Sequence, residues 1–184
     1  MKLAKTWSIA LNGIEPFLVE VEVSTNDAAG SDNFLTIVGV PDTTVRESRE
    51  RVRSAINASG FHFPMGSTTI SLAPAGIKKS GSALDLPIAM ALIASCDDDF
   101  PIQSLRESIF IGELGLDGHI RSVKGALAMA LYARELGYKK IYIAEDNAKE
   151  AAIAEGVKVI PVRNLLEVYK VLLGEVYLEP AYTD

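Results

Sequence analysis

Residues 78–95 read KKSGSALDLPIAMALIAS, a basic, glycine-containing loop that runs directly into a long apolar segment. Residues 84–95 are hydrophobic on nearly every side of a helix, which predicts a buried central helix. Two residues can cap its start. Ser82 fits a capping box with Asp85 three positions on, and Asp85 can itself be the cap. Pro87 favours the second alternative, because it then lies in the first turn, where no hydrogen bond is lost.

The segments on either side of this helix predict a single domain over residues 1–184. Before it, the alternation of apolar and polar residues predicts strands at 4–11, 17–24, 34–40 and 68–72, with a helix from Pro41 to Gly60 that Asp42 or Thr43 caps. After it, the pattern predicts two strands joined by an Asp-Gly turn (108–114 and 119–121). Helices at 123–136, 146–155 and 164–173 and strands at 140–144 and 157–161 then follow in a βαβα order. We therefore expect an α/β (α+β) fold with a mixed sheet and a right-handed parallel crossover.

Composition limits the location and the partners. The chain has 184 residues and a net charge of −6, and acidic residues exceed basic ones most strongly after residue 140. A dedicated nucleic-acid binder usually has a basic excess, so any contact with DNA must come from a local patch. One cysteine, no signal peptide and no apolar run of membrane-spanning length predict a cytoplasmic protein that does not enter a membrane.

The loop before the central helix has features of two kinds of active site. Gly76 and Gly81 have the spacing of a phosphate loop, but Ser82-Ala83 stands where lysine and a hydroxyl residue are required. A serine nucleophile at Ser82 would need a neighbouring base, and no histidine is close in the sequence. No Cys/His cluster has metal-ligand spacing. The residues alone therefore predict no cofactor and favour a structural role for this loop.

The helix after Pro41 carries a cluster of arginines. Its charged residues are Arg46, Glu47, Arg49, Glu50, Arg51 and Arg53. The spacing predicts Arg46–Glu50 and Glu47–Arg51 ion pairs on a solvated face. The alternative is a face that contacts phosphate or another subunit, with a protein interface favoured over DNA.

Three longer stretches resemble a known family. They are FLTIVGVPDTTVRESRERVRSAINASGFHFP (34–64), TTISLAPAGIKKSGSALDLPIAMALIAS (68–95) and IGELGLDGHIRSVKGALAMALYA (111–133). They resemble the N-terminal domain of the ComM/YifB proteins, the magnesium chelatase subunit ChlI-like competence family. The resemblance implies a Lon protease-like domain of the two-layer ribosomal-protein type, also found in the C-terminal part of RadA.

The same resemblance implies a larger protein. In the family, an AAA+ ATPase module follows this domain, and the whole protein, a homo-oligomer expected to be a hexamer, acts in DNA uptake or recombination as a helicase or in branch migration. ATP and magnesium are expected only in that module, which is absent from this chain. The chain is then expected to be a part of a longer protein.

Matching the chain to the Lon motif gives a test at the level of residues. Ala83 occupies the position of the Lon-type serine, and Leu127 occupies that of the lysine. The resemblance therefore implies a non-catalytic domain for assembly and for engagement of DNA or a partner. The alternative is a degenerate serine peptidase that uses Ser82. If DNA is bound, the expected contacts are Lys78, Lys79, Arg121 and Lys124, and then Arg46, Arg49 and Arg53.

Overall fold

A computed structural model describes residues 2–26 and 34–182. The strands are β1 (Lys2–Asn12), β2 (Glu15–Asn26), β3 (Phe34–Val38), β4 (Ser67–Ala73), β5 (Ser108–Ile111), β6 (Glu113–Leu114), β7 (Ile120–Arg121), β8 (Lys140–Ala144) and β9 (Lys158–Val162). The helices are α1 (Thr43–Arg46), α2 (Ser48–Ala58), α3 (Asp85–Ser95), α4 (Ala126–Glu135), α5 (Glu145–Ala151) and α6 (Leu165–Leu172), with a 3₁₀ helix at Ile102–Leu105. Nearly every predicted element is present, within a few residues of its predicted bounds.

The N-terminal half forms a mixed four-stranded sheet in the order β1-β2-β4-β3. β1, β2 and β4 pair antiparallel, whereas β3 runs parallel to β4. The alternation in β2 has the predicted effect, since Val19, Val21 and Val23 are fully buried. On the opposite face of β2, Glu20 and Glu22 lie 3.0 and 3.4 Å from the ammonium group of Lys5.

The C-terminal half forms a parallel three-stranded sheet in the order β5-β8-β9, with α5 between β8 and β9. This confirms the predicted βαβα part and the α+β class. The predicted strand 108–114 is divided at Gly112, and its second part pairs with β7 as a separate hairpin. A Cβ on Gly112 would lie 2.8 Å from Ile120 Cγ2, so a side chain here would force the Ile120 side chain or the backbone to shift.

Helix α3 lies at the centre of the molecule. Every residue from Asp85 to Ser95 is buried, and the helix contacts β1, β2, β5 and α2. The prediction of a buried central helix is therefore confirmed. No helix within the described ranges is long and apolar enough to cross a bilayer.

The predicted single helix after Pro41 is divided at Glu47 into α1 and α2. Asp42 caps α1, since its Oδ1 accepts a 2.8 Å hydrogen bond from the N–H of Val45. The predicted Glu47–Arg51 ion pair on a solvated face is wrong in its partner, because Arg51 binds Asp85 instead. This change of partner links α2 to the start of α3.

Candidate functional site

Neither predicted side chain caps α3. The N-cap position is Leu84, and no side chain accepts a hydrogen bond from the first turn. Ser82 Oγ instead donates to Glu113 Oε2 at 2.5 Å. The Asp85 carboxylate points away from the helix end, towards α2 and β6. Both alternatives for the cap are therefore wrong, because tertiary partners that are distant in sequence bind these two side chains.

The backbone N–H groups in the first turn of α3 already have partners. Pro87 has no N–H, and the N–H groups of residues 85, 86 and 88 are used. They donate to the carbonyl oxygens of Ser82, Gly112 and Leu84, at 3.2, 3.0 and 3.1 Å. A phosphate-binding helix start requires free N–H groups. The first turn of α3 therefore lacks such free groups, and the absence of a nucleotide site from the loop stays a prediction.

Asp85 is the centre of a buried polar cluster. Its Oδ1 accepts from Ser48 Oγ at 2.5 Å and from Arg51 Nη2 at 3.1 Å. Its Oδ2 accepts from Arg51 Nε at 2.7 Å and from the N–H of Leu114 at 3.0 Å. Asp85 is fully buried, so these four hydrogen bonds replace the water that the carboxylate has lost. The cluster joins α2, α3 and β6.

Burial and pairing act in opposite directions on the pKa values of this cluster. Desolvation raises the pKa of Asp85, and the hydrogen bonds from Arg51, Ser48 and Leu114 only partly offset it. The hydrogen bond with Asp85 raises the pKa of Arg51. The desolvation of a buried ion pair can exceed its Coulombic attraction. We therefore infer that the main role of the cluster is to fix the position of the β6–β7 hairpin, and that its net contribution to stability is small.

An open cleft of about 410 Å³ lies beside the start of α3. Residues from β1, from the loop before α3, from β6 and from the start of α4 line it: Ala10, Leu11, Ser80, Gly81, Ser82, Ala83, Leu84, Glu113, Ser122, Val123, Lys124 and Met129. Arg121 Nη1 lies 3.8 Å from Glu113 Oε1. The cleft therefore combines an apolar wall with a hydroxyl group, a carboxylate and an ammonium group.

The two positions matched to the Lon motif carry no chemistry. Ala83 is half-buried in the wall of the cleft, and its carbonyl oxygen accepts from the N–H of Gly112 at 3.0 Å. Leu127 is half-buried against the second hydrophobic cluster and does not line the cleft. Neither His62 nor His119 lines it. The cleft walls therefore bring no histidine to Ser82.

One predicted DNA contact is wrong. Lys79 is fully buried, and its ammonium group donates to the carbonyl oxygen of Pro74. Burial also lowers the pKa of Lys79. The backbone holds this residue inside, since its N–H donates to Val40 and its carbonyl oxygen accepts from Asp42. Lys79 therefore cannot reach a phosphate in this structure.

The other candidate cations remain on the surface, in separate places. Lys78, Arg46 and Arg49 are exposed, while Arg121 and Lys124 are exposed beside the cleft. The guanidinium of Arg53 lies 4.5 Å from the centre of the Phe63 ring, a cation–π contact that partly covers it. Among the described residues, no group of three or more His, Cys, Asp or Glu could hold a metal ion.

Comparison with known proteins identifies the family. The model of subunit ChlI of Mg-chelatase matches residues 19–147, which is most of the chain. YifB of Escherichia coli is 41% identical over 170 residues, which cover 92% of this chain and 32% of YifB. The chain belongs to the ChlI-like ComM/YifB family. Competence protein ComM of Haemophilus influenzae is 35% identical over 175 residues, 95% of this chain and 33% of ComM.

A more distant relative of this ChlI-family chain is the DNA repair protein RadA of Listeria monocytogenes. It is 37% identical over 103 residues, which cover 56% of this chain and 22% of RadA. The chain spans about a third of the length of its ComM and YifB relatives. The family match includes the whole segment from the Asp85 cluster to the β6–β7 hairpin.

Sequence reasoning missed three residues of the site. Glu113, Ser48 and Arg51 bind the two polar side chains at the start of α3. They lie 31 to 37 positions from their partners in the sequence. Patterns of periodicity and capping extend over only a few residues, so they cannot predict contacts over such separations. The one signal in the sequence was the polar Asp85 at the start of a segment that is otherwise apolar.

Proposed function

We propose that this chain is a non-catalytic Lon-like domain of a ComM-type AAA+ ATPase that acts in DNA uptake or recombination, through helicase action or branch migration. Its role is to assemble the homo-oligomer, a hexamer in the full-length protein, and to engage DNA or a protein partner in the cytoplasm. The observation that carries the proposal is the cleft itself. It has the size and composition of a binding site, but Ala83 forms its wall at the position where a Lon-type peptidase has its nucleophile.

The chemistry of the cleft supports binding over catalysis. A serine nucleophile needs a base that removes its proton and a group that orients the base. The partner of Ser82 is Glu113, a carboxylate that also faces the Arg121 guanidinium at 3.8 Å. Among the described residues, no histidine or lysine hydrogen-bonds to Ser82, so this arrangement holds the hydroxyl in place and does not activate it for attack.

The comparisons support the cellular role. One relative is a competence protein and another is a DNA repair protein, and both functions involve the handling of DNA. ATP and magnesium belong, in this proposal, to the AAA+ module. The start of α3 supports that assignment, since its N–H groups already have carbonyl partners.

DNA contacts of this domain are expected to be weak. The exposed candidates are Lys78, Arg121, Lys124, Arg46, Arg49 and, in part, Arg53. The net charge of −6 opposes binding of a polyanion. We therefore expect weak, salt-sensitive binding by the isolated domain and a larger contribution within an oligomer, where several copies act together.

The test compares the full-length protein with a form that lacks residues 1–184. Light scattering gives the mass of each assembly, and fluorescence anisotropy gives its affinity for DNA at several salt concentrations. We expect the deletion to give a smaller assembly or to weaken DNA binding by roughly tenfold. The full-length variant Arg121→Glu/Lys124→Glu should weaken DNA binding more than the matched variant Lys158→Glu/Lys170→Glu. If deletion leaves both oligomer and DNA binding intact, the proposal is wrong.

The Ser82–Glu113 hydrogen bond favours one second candidate, a degenerate serine peptidase. Lys124 lines the same cleft, so a hydroxyl, a carboxylate and an amine lie within one site. Incubation with a denatured protein substrate tests this alternative. We expect no cleavage by the parent chain. Cleavage that disappears in Ser82→Ala would establish the peptidase and refute the non-catalytic role.

A further inference from the structure

Two stretches of backbone that line the cleft have unused hydrogen-bonding groups. Ser80 and Gly81 belong to the first stretch, and Ser122 and Lys124 belong to the second. Within residues 2–26 and 34–182, none of these four uses its N–H or its carbonyl oxygen in a protein hydrogen bond. All four are exposed, so water satisfies these groups while the cleft is open. A ligand that offers both donors and acceptors could replace this water at little cost.

Residues within or close to these stretches are held by hydrogen bonds. Asn147 Oδ1 accepts from the N–H of Val123 at 2.8 Å, and its Nδ2 donates to the Val123 carbonyl at 2.9 Å. Close to the first stretch, the carbonyl oxygen of Ala83 accepts from the N–H of Gly112 at 3.0 Å. The unused backbone groups therefore lie on anchored segments, which lowers the entropy cost of ordering them around a ligand.

The side chains divide the cleft into an apolar part and a charged rim. Leu11, Ala83 and Met129 supply apolar surface, on which a small hydrophobic side chain can pack. Glu113 and Lys124 are the charged residues that line the cleft. Glu113 is already bound to Ser82 and faces Arg121, whereas Lys124 makes no ion pair with a described residue. The charge in the cleft that lacks an ion-pair partner among the described residues is therefore the positive charge of Lys124.

We propose that this cleft binds an extended peptide segment through its main chain, without cleaving it. A small apolar side chain of the peptide packs on the apolar wall, and an acidic side chain lies next to Lys124. Extended peptides present main-chain donors and acceptors at regular spacing, which matches two backbone stretches with unused groups of both kinds. The inference names the class of protein partner within the function proposed above, and so rests on that proposal.

The test is a fluorescence anisotropy titration of the 184-residue chain with a short labelled peptide of alternating alanine and leucine that carries one central glutamate. A second peptide has the same sequence with N-methyl groups on alternate residues, which removes main-chain donors and keeps every side chain. A third has lysine in place of glutamate. We expect both changes to weaken binding by about tenfold or more, since each removes a polar contact or reverses a charge.

Variants of the chain provide the second arm. Lys124→Glu should weaken binding of the glutamate peptide by about tenfold and strengthen binding of the lysine peptide. Lys170→Glu makes the same charge change at an exposed residue of α6, away from the cleft, and should leave both affinities unchanged. Circular dichroism confirms that each variant is folded.

Three results would overturn the inference: no binding of the glutamate peptide, equal binding of its N-methylated form, or equal binding by the parent chain and Lys124→Glu. These titrations need neither DNA nor an oligomer. Loss of peptide binding would therefore refute the cleft as a peptide site, while the deletion experiment separately tests the role in assembly and DNA engagement.

Discussion

Ser82 and Asp85 stand three positions apart at the start of the same helix, yet their surroundings differ in almost every respect. Asp85 is fully buried and accepts four hydrogen bonds from α2 and β6. Ser82 is half-buried at the cleft and makes one side-chain hydrogen bond, to the carboxylate of Glu113. Both side chains hold the β6–β7 hairpin, because their partners Leu114 and Glu113 are adjacent in β6.

The difference shows how one short segment serves both structure and recognition. The bonds of Asp85 cannot be exchanged for water, because the carboxylate has no access to it, so this side fixes the position of the hairpin. The groups around Ser82 face an open cleft and can exchange partners with a ligand. The Asp85 cluster thus positions the groups around Ser82, and substitutions at the two residues should differ in their effects.

The largest effect is expected from Asp85→Asn. The substitution keeps the shape but puts an amide NH2 where Asp85 has an acceptor oxygen, so a donor of Arg51, Ser48 or Leu114 loses its partner in a buried site. A buried donor without an acceptor costs about 3 kcal/mol when it belongs to a charged group. Urea denaturation followed by circular dichroism measures the change. Asp99→Asn, an exposed carboxylate beyond the end of α3, should change stability by less than about 0.5 kcal/mol. A loss below about 1 kcal/mol in Asp85→Asn would show that the cluster does not fix the hairpin.

Gly112→Ala should have an intermediate effect on stability and should disturb both the Asp85 cluster and the cleft. Its backbone bonds to Ala83 and Leu86 connect the cleft to α3, and an added Cβ would lie 2.8 Å from Ile120 Cγ2. Forcing a methyl group into such packing costs about 1–3 kcal/mol. Gly76→Ala is the matched control, since a Cβ there meets nothing within 4 Å. Equal urea midpoints for these two variants would contradict the close packing at the hairpin.

The pH dependence of stability should show the raised pKa of Asp85. Because burial raises its pKa in the folded protein, its contribution to stability is fully present below the unfolded pKa, near about 3.9. That contribution is lost as pH rises through the folded pKa. The stability advantage of the parent chain over Asp85→Asn should therefore narrow as pH rises from about 4 towards 7.

Urea titrations at several pH values measure how the difference in stability between the parent chain and the variant changes with pH. Asp117 is the comparison. The N–H of His119 donates to Asp117 and lowers its pKa, so its contribution is present above the unfolded pKa and is lost as pH falls through the folded pKa. The difference between the parent chain and Asp117→Asn should therefore have the opposite slope. An advantage over Asp85→Asn that widens with pH would mean that pairing outweighs burial at Asp85.

The smallest effect is expected from Ser82→Ala. It removes one hydrogen bond to a carboxylate that is 28% exposed and can bind water in its place. The loss of stability should be below about 1 kcal/mol. The same urea assay measures it, and a loss as large as that of Asp85→Asn would mean that the cleft side also fixes the fold.

The sequence predicted the elements well and the polar contacts poorly. Residues 84–95 were recognised as a buried helix from their uniform hydrophobicity, and the alternation in β2 predicted which of its faces is buried. The caps at Ser82 and Asp85 and the exposure of Lys79 were predicted wrongly. At Ser82 and Asp85 a residue far away in the sequence binds the side chain, and at Lys79 the distant Val40 and Asp42 bind the backbone.

The sequence by itself determined the order of the elements and the resemblance to the ComM/YifB family. These follow from residue identity and periodicity, which act over a few positions. Only the tertiary structure decided that Asp85 binds Arg51, that Ser82 binds Glu113 and that Lys79 is enclosed. The physical reason is that hydrogen bonds and burial depend on which surfaces meet in space, and that is fixed only when α2, α3 and the hairpin pack together.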